Sequence, residues 1–327
     1  MPIEVKDLEY TYSSGTPFEK KALAGIDLTV NEGDFVGILG HTGSGKSTFI
    51  LHLNGLIKLQ SGSIDVFGIK LVPDKKNKQD LRRLRGTVGM VFQYPEYQLF
   101  EDTVEKDVAF GPKNLGLSEE EVAGRVERAI RLVGLDYEDV RSRAPFELSG
   151  GQKRRVAIAG IIAMQPRVLV LDEPTAGLDP YGKEQILSLI TKLKKECSPT
   201  VIVISHDVDE ITRFASRIVV FNDGKVAFDV PMNELFRHGE ELQAMGLEIP
   251  KAVRIADELR RRGIGLGDVV NADDLVRAVV RKFDKTGMDE TDIAKLSAAQ
   301  FDFDGLYGAS ASDVRSGNGG GSGEATA

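Results

Sequence analysis

Gly40-His41-Thr42-Gly43-Ser44-Gly45-Lys46-Ser47 sets glycine, lysine and hydroxyl at the spacing G-x-x-x-x-G-K-[ST]. That spacing suits the holding of a polyphosphate. Glycines let the backbone fold around an anion, and successive N–H groups at a helix N-terminus then face its oxygens. Lys46 would reach the β- and γ-phosphates of ATP, and the Ser47 hydroxyl would ligate Mg²⁺, with Thr48 next in the opening turn. Completing such a metal site takes an acid at the end of a buried strand. Val168-Leu169-Val170-Leu171 is an apolar run that ends on Asp172 and Glu173. Asp172 would hold the metal through water, and Glu173 is assigned as the general base that polarises the attacking water. Two like charges beside buried surface are costly unless they are used.

Leu148-Ser149-Gly150-Gly151-Gln152 has two readings. Ser149 and Gln152 can form a capping box that opens a helix. The same arrangement leaves a helix N-terminus with two glycines and a hydroxyl, a second anion site with no second triphosphate in the chain to fill it. A head-to-tail dimer resolves this, with the Ser149 end of one chain facing the γ-phosphate held by the Lys46 loop of the other. Hydrolysis would then open and close the pair.

The elements around these motifs are legible as pattern. Asp34 to Leu39 reads as a buried strand feeding the loop, and Thr48 to Leu53 as the first turns of a helix. Ile3 to Tyr12 and Ile26 to Val30 alternate as strands, and Ser61 to Gly68 reads as a hairpin. These pieces are expected to form an antiparallel layer against a parallel core. Ser118 with Glu121 predicts a capping box, Leu117 with Val122 a hydrophobic staple, and Gly134 a stop, so a helix spans the interval. Val88 to Phe92, Arg167 to Leu171 and Thr200 to Ile204 are apolar strands, with a helix from about Gly182 to Glu196. Strands alternating with helices predict an α/β fold whose parallel sheet is covered on both faces. Residues 1–230 form this domain. A small helical domain is expected over 231–304, with helices from Pro250 to Arg262 and from Ala272 to Lys282, the latter capped by Asn271. Residues 305–327, including Gly317 to Gly323, read as a disordered tail.

The chain has 327 residues, 28% of them charged, and a net charge of −8, which argues against general nucleic-acid binding. No run of about 18 apolar residues spans a membrane. Met1 to Lys6 lacks the basic and apolar portions of a secretion signal. A lone Cys197 excludes an intrachain disulfide and fits a reducing cytosol. Lys75, Lys76, Lys78, Arg82, Arg83 and Arg85 form a basic run. It reads as a solvated loop and helix face or as a contact for lipid headgroups or an acidic partner.

The order Gly40 to Ser47, Gln93, Leu148 to Gln152, Asp172-Glu173, Ala176-Gly177-Leu178-Asp179 and His206 resembles that of ATP-binding cassette transporter ATPases, over about Ile3 to Val230. The resemblance implies that Tyr12 stacks on adenine and that Gln93 senses the γ-phosphate, Mg²⁺ and a membrane subunit. It also implies that Asp179 communicates across the dimer and that His206 contacts the γ-phosphate. Phe92 to Glu101, Thr103-Val104, Asp107 to Pro112 and Pro145 to Gly160 narrow it. They are similar to the energy-coupling factor transporter ATPases, with Pro95-Glu96-x-Gln98-Leu99-Phe100-Glu101 similar to the second ATPase of the heterodimeric version. That family implies uptake of vitamins or transition-metal ions. It implies a second ATPase subunit, a transmembrane coupling subunit and a substrate-binding membrane subunit, met at the cytoplasmic face of the membrane. The alternatives are an ATPase of another importer class, differing only around Gln93 to Gly111, and a soluble cassette ATPase acting on nucleic acid or ribosomes. The latter carry coiled-coil insertions, zinc sites or a second cassette, none of which is present.

Overall fold

The computed structural model describes residues 2–73, 78–196 and 200–283. Lys75, Lys76, Cys197, the later part of the expected small domain and the glycine-rich tail lie outside the described residues.

β1 (Ile3–Tyr12) turns Ile3, Val5 and Leu8 inward and pairs antiparallel with β2 (Lys20–Val30), from Ile3 opposite Val30 to Tyr12 opposite Lys20. β2 starts well before Ile26, where its alternation first shows. Register shifts around Leu8 and after Tyr10 break the period of two that a sequence pattern relies on. β3 (Phe35–Leu39) is buried at every position and leads through the glycine loop into α1 (Lys46–Leu53). β4 (Ser63–Val66) and β5 (Ile69–Leu71) pair as a hairpin and complete a four-stranded antiparallel sheet, β2-β1-β4-β5.

α2 (Lys78–Thr87) runs into β6 (Val88–Val91). A helical layer follows: α3 (Val104–Asn114), α4 (Glu119–Leu132), α5 (Tyr137–Val140) and α6 (Gly150–Ile162). The capping box at Ser118 and Glu121 forms, and Val122, Val126 and Ile130 are buried along one face of α4. β7 (Val168–Asp172), α7 (Pro180–Glu196), β8 (Thr200–Ile204) and the short α8 (Val208–Ile211) come next. β9 (Arg217–Asn222) and β10 (Lys225–Pro231) form a hairpin that closes the second sheet, in the order β10-β9-β3-β8-β7-β6. All its neighbouring pairs are parallel except β9 with β10. The signal for that antiparallel edge hairpin in the sequence is Asp223-Gly224 between two apolar runs.

Each core strand serves two layers. In β7, Val168 and Val170 join the cluster under α1 and the antiparallel sheet, whereas Leu169 and Leu171 join the cluster under the helices. β3 and β8 divide their side chains likewise. With both faces covered, these strands are apolar throughout rather than alternating. After Pro231, α9 (Met232–Leu235) and α10 (Gly239–Ala244) bury Met232, Leu235 and Leu242 in the larger cluster. α11 (Lys251–Arg261) and α12 (Ala272–Phe283) instead enclose their own cluster of Ala252, Ala256, Val269 and Leu275. Asn271 Oδ1 accepts from the Asp274 amide and caps α12. No helix among the described residues is long and apolar enough to cross a membrane.

Candidate functional site

The loop between β3 and α1 is held from both sheets. Gly40 has φ 150° and Gly45 φ 106°, conformations that glycine adopts without strain. A Cβ at Gly40 would collide with the Phe221 carbonyl oxygen of β9, and one at Gly45 would stand 2.6 Å from the Ala22 carbonyl oxygen of β2. The Gly224 amide donates to the Ser44 carbonyl at 3.0 Å, and the Ala24 amide to the Gly224 carbonyl at 2.8 Å. The loop is therefore wedged between the β9–β10 turn and β2. Lys46 is buried and donates from Nζ to the carbonyls of Gly40 at 2.6 Å and His41 at 2.9 Å. Burial lowers its pKa from the ordinary lysine range, opposed by Glu173 and Asp172.

A cavity of about 650 Å³ opens in front of the loop. Thr42, Gly43, Gly45, Lys46, Ser47 and Thr48 line it from the loop, and Tyr12, Gln93, Asp172, Glu173 and His206 from elsewhere in the sequence. Gly40, His41 and Ser44 shape the loop from behind or beside. Ser44 is fully buried, and His41 Nδ1 bonds the Thr42 carbonyl at 2.9 Å. Lys20, which no motif marks, also lines the cavity. It stands opposite Tyr12 in the β1–β2 ladder and adds a second cation to the mouth. Nothing in Glu19-Lys20-Lys21 separates it from an ordinary charged strand end.

Asp172 and Glu173 are treated differently by the fold. Asp172 ends β7, and its pKa is raised to about 6, by burial first and the Glu173 charge second, with Lys46 and a hydrogen bond from Ser47 opposing. Glu173 takes φ 49°, uncommon outside glycine, while its amide donates to the Ile204 carbonyl at 2.9 Å. The chain thus turns sharply one residue beyond the strand and aims the carboxylate into the cavity. His206 Nδ1 donates to Glu173 Oε2 at 2.8 Å. The hydroxyl of Ser47, the amide oxygen of Gln93 and the carboxylate of Asp172 are hard oxygen donors, and these residues could hold Mg²⁺ together with phosphate oxygens. A raised carboxylate beside a second acid is relieved by a cation, so the donor set fits. No group of three or more His, Cys, Asp or Glu side chains that could hold a metal occurs among the described residues. A site completed by substrate phosphate needs none.

Ser149, Gly150, Gly151 and Gln152 do not line this cavity, nor does Asp179. Ser149 caps α6 in a complete capping box with Gln152. Gly150 and Gly151 are exposed, with open space where a Cβ would stand. Asp179 Oδ1 accepts from the Gly182 amide at 2.6 Å and opens α7. One residue missed from sequence ties these segments together. Arg154 of α6 is 1% exposed and pairs with both Glu96 oxygens, at 2.9 and 3.1 Å. Its Nη1 also donates to the carbonyls of Pro174 at 3.3 Å and Ala176 at 3.0 Å. In sequence it sits in Lys153-Arg154-Arg155, where its residue type does not set it apart from its neighbours.

The two-sided sheet, the helical layer and the loop with its strand-end acids are those of an ATP-binding cassette ATPase, and the family model for the ABC transporter domain matches residues 23–176. Beyond the class, the chain belongs to the energy-coupling factor transporter ATP-binding proteins. It is 49% identical to EcfA2 of Clostridium perfringens over 270 residues, covering 83% of this chain and 94% of that one. It is also 50% identical to EcfA2 of Clostridium acetobutylicum, over 81% of this chain and 92% of that one. Among solved structures, it is similar to cbiO1 from Clostridium perfringens, described as part of the ABC transporter complex cbiONQ. There the TM-score is 0.64 and the identity 37%, over 79% of this chain and 98% of that one. It is likewise similar to the cassette MJ0796, a dimer in a post-hydrolysis state bound to ADP and Pi. That match has TM-score 0.61 and 32% identity, over 70% of this chain and 98% of that one.

Proposed function

We propose that this chain, an ATP-hydrolysing subunit of an energy-coupling factor-type importer, hydrolyses ATP between two ATPase subunits and drives a transmembrane coupling subunit with the motion. The observation that carries the reading is a separation. In one chain the Lys46 cavity and the exposed Ser149 tip of α6 are distinct, each suited to a phosphate. Gly150 and Gly151 leave the first amides of α6 uncovered by any side chain. Another subunit's phosphate can close on those amides.

In this reading Tyr12 stacks on the adenine, Lys46 and the loop amides bind the phosphates, and Lys20 adds charge at the mouth. Ser47, Gln93 and Asp172 would hold Mg²⁺, which would supply charge neutralisation when bound. Glu173 takes a proton from the attacking water, and His206, already bonded to Glu173, reaches the γ-phosphate. Asp179 faces the other subunit. Arg154 links the Glu96 turn, the α6 tip and the Pro174–Ala176 segment, so that movement at one is felt at the others.

A groove of about 640 Å³ supports the membrane partner. Leu81, Leu99, Phe100, Phe110, Ile161 and Met164 give it apolar walls, and Arg82 and Arg85 lie at its side. Phe100 and Phe110 pack edge-on at 5.0 Å and remain exposed. Apolar side chains grouped in a groove next to Gln98 fit a helix of a coupling subunit, at the cytoplasmic face of a membrane. Vitamins or transition-metal ions are the cargo that fits the family.

Sedimentation of Glu173→Gln with Mg·ATP tests the shared site. A dimer is expected, and adding Ser149→Arg should return it to monomer while ATP still binds. A dimer that survives Ser149→Arg would overturn the reading.

A further inference from the structure

We propose that His52, buried in α1, is a positioning residue for nucleobase recognition: it fixes the Tyr12 ring that receives the base. The inference rests on the stacking role given to Tyr12 above. Contacts among Tyr10, Tyr12, Thr48 and His52 close a circuit. The Tyr12 ring meets Tyr10 edge-on with centroids 4.8 Å apart, and Tyr10 meets His52 edge-on at 4.9 Å. His52 Nδ1 donates to the Thr48 carbonyl, one helical turn back, at 2.8 Å. Thr48 Oγ1 then lies 3.2 Å from the Tyr12 hydroxyl, which returns the path to its start. The circuit joins β1 to α1, and so joins the base platform to the helix that begins at Lys46.

Tyr12 is 38% exposed, and such a ring would ordinarily sample several orientations. Held by Tyr10 and by its own hydroxyl, it is fixed before the nucleotide arrives, so little ordering is left to be done on binding. Packing alone does not account for a histidine at this position. It is fully buried, its Nδ1 bonds the Thr48 carbonyl, and the Lys58 backbone is a second polar neighbour of the ring. An apolar side chain of similar size would fill the space but would make neither polar contact. With them would go the Nδ1 bond that sets the ring plane against Tyr10.

The test compares the Mg²⁺ complexes of ATP and of tripolyphosphate, which carries the phosphate chain without the base, by calorimetry on the full chain. His52→Leu should weaken ATP about three- to tenfold, a fraction of what one stacked base contributes. Tripolyphosphate affinity should not change. His52→Asn, which restores a side-chain donor on α1, should recover at least half of the loss, and it carries the test if the leucine variant does not fold. Equal losses for ATP and tripolyphosphate would mean that α1 itself is distorted, and unchanged ATP binding would mean that the circuit is idle. Either outcome overturns the inference. Tyr12→Ala separates the two claims. If it leaves ATP binding unchanged, the stacking role falls and His52 with it. If it weakens ATP while His52→Leu does not, only the inference falls.

Discussion

Adjacent acids at one strand end meet different environments. Glu173 is aimed into the cavity by a left-handed turn that costs of order 1 kcal/mol or more, a strain that use in catalysis would explain. Glu173→Gln keeps the turn and the size but cannot take a proton. Steady-state phosphate release should fall about 10²–10⁴-fold while ATP binding persists. Asp172 stands at the other extreme, its pKa raised from 3.8 to about 6. A raised acid binds its proton more tightly folded than unfolded, so it opposes folding once ionised. The nucleotide-free chain should lose stability as pH rises from 3.8 through about 6. The full loss is about 3 kcal/mol, taking 1.36 kcal/mol for each pH unit. Asp172→Asn should therefore raise the thermal midpoint of the magnesium-free, nucleotide-free chain at about pH 8, with the gain shrinking as pH falls toward about 4. A gain that is flat with pH would show that Asp172 does not titrate in that window.

Among the helices, Ser118 and Ser149 open with the same device, a complete capping box. Their sequels differ, since α4 continues with three glutamates and α6 with two exposed glycines and no acid in its first turn. Ser118→Ala should cost about 1 kcal/mol in urea denaturation and leave ATP-driven crosslinking between subunits untouched. Ser149→Ala should cost a similar amount and lose the crosslink. The pattern behind both boxes was readable, as were β3, β7, β8 and the loop, because a buried parallel strand and a phosphate loop each impose a short continuous signal. β9 and β10 went unread, and β2 began earlier than expected. Register shifts in β2 and the exposed alternate positions of β10 blur any window average. Lys20 and Arg154 were hidden for another reason. A lysine at a cavity mouth and an arginine sealed against Glu96 look like their solvated neighbours until chain segments far apart in sequence are brought together.

Across the molecule, the nucleotide cavity and the apolar groove share the Gln93–Asp107 stretch, with Gln93 in one and Gln98 through Phe100 and Asp107 in the other. Phe100→Asp should abolish recovery of the transmembrane partner on co-purification, while the ATP affinity of the isolated chain holds. Retention of the partner would place the docking surface elsewhere. The wedged loop has a consequence of its own. Gly45 leans on β2 and Gly40 on β9, and the Ser44–Gly224–Ala24 chain of amides runs across the gap. The two sheets therefore cannot shear past one another without deforming the phosphate cradle. A triphosphate bound in that cradle would brace a joint the two sheets already share through one buried cluster.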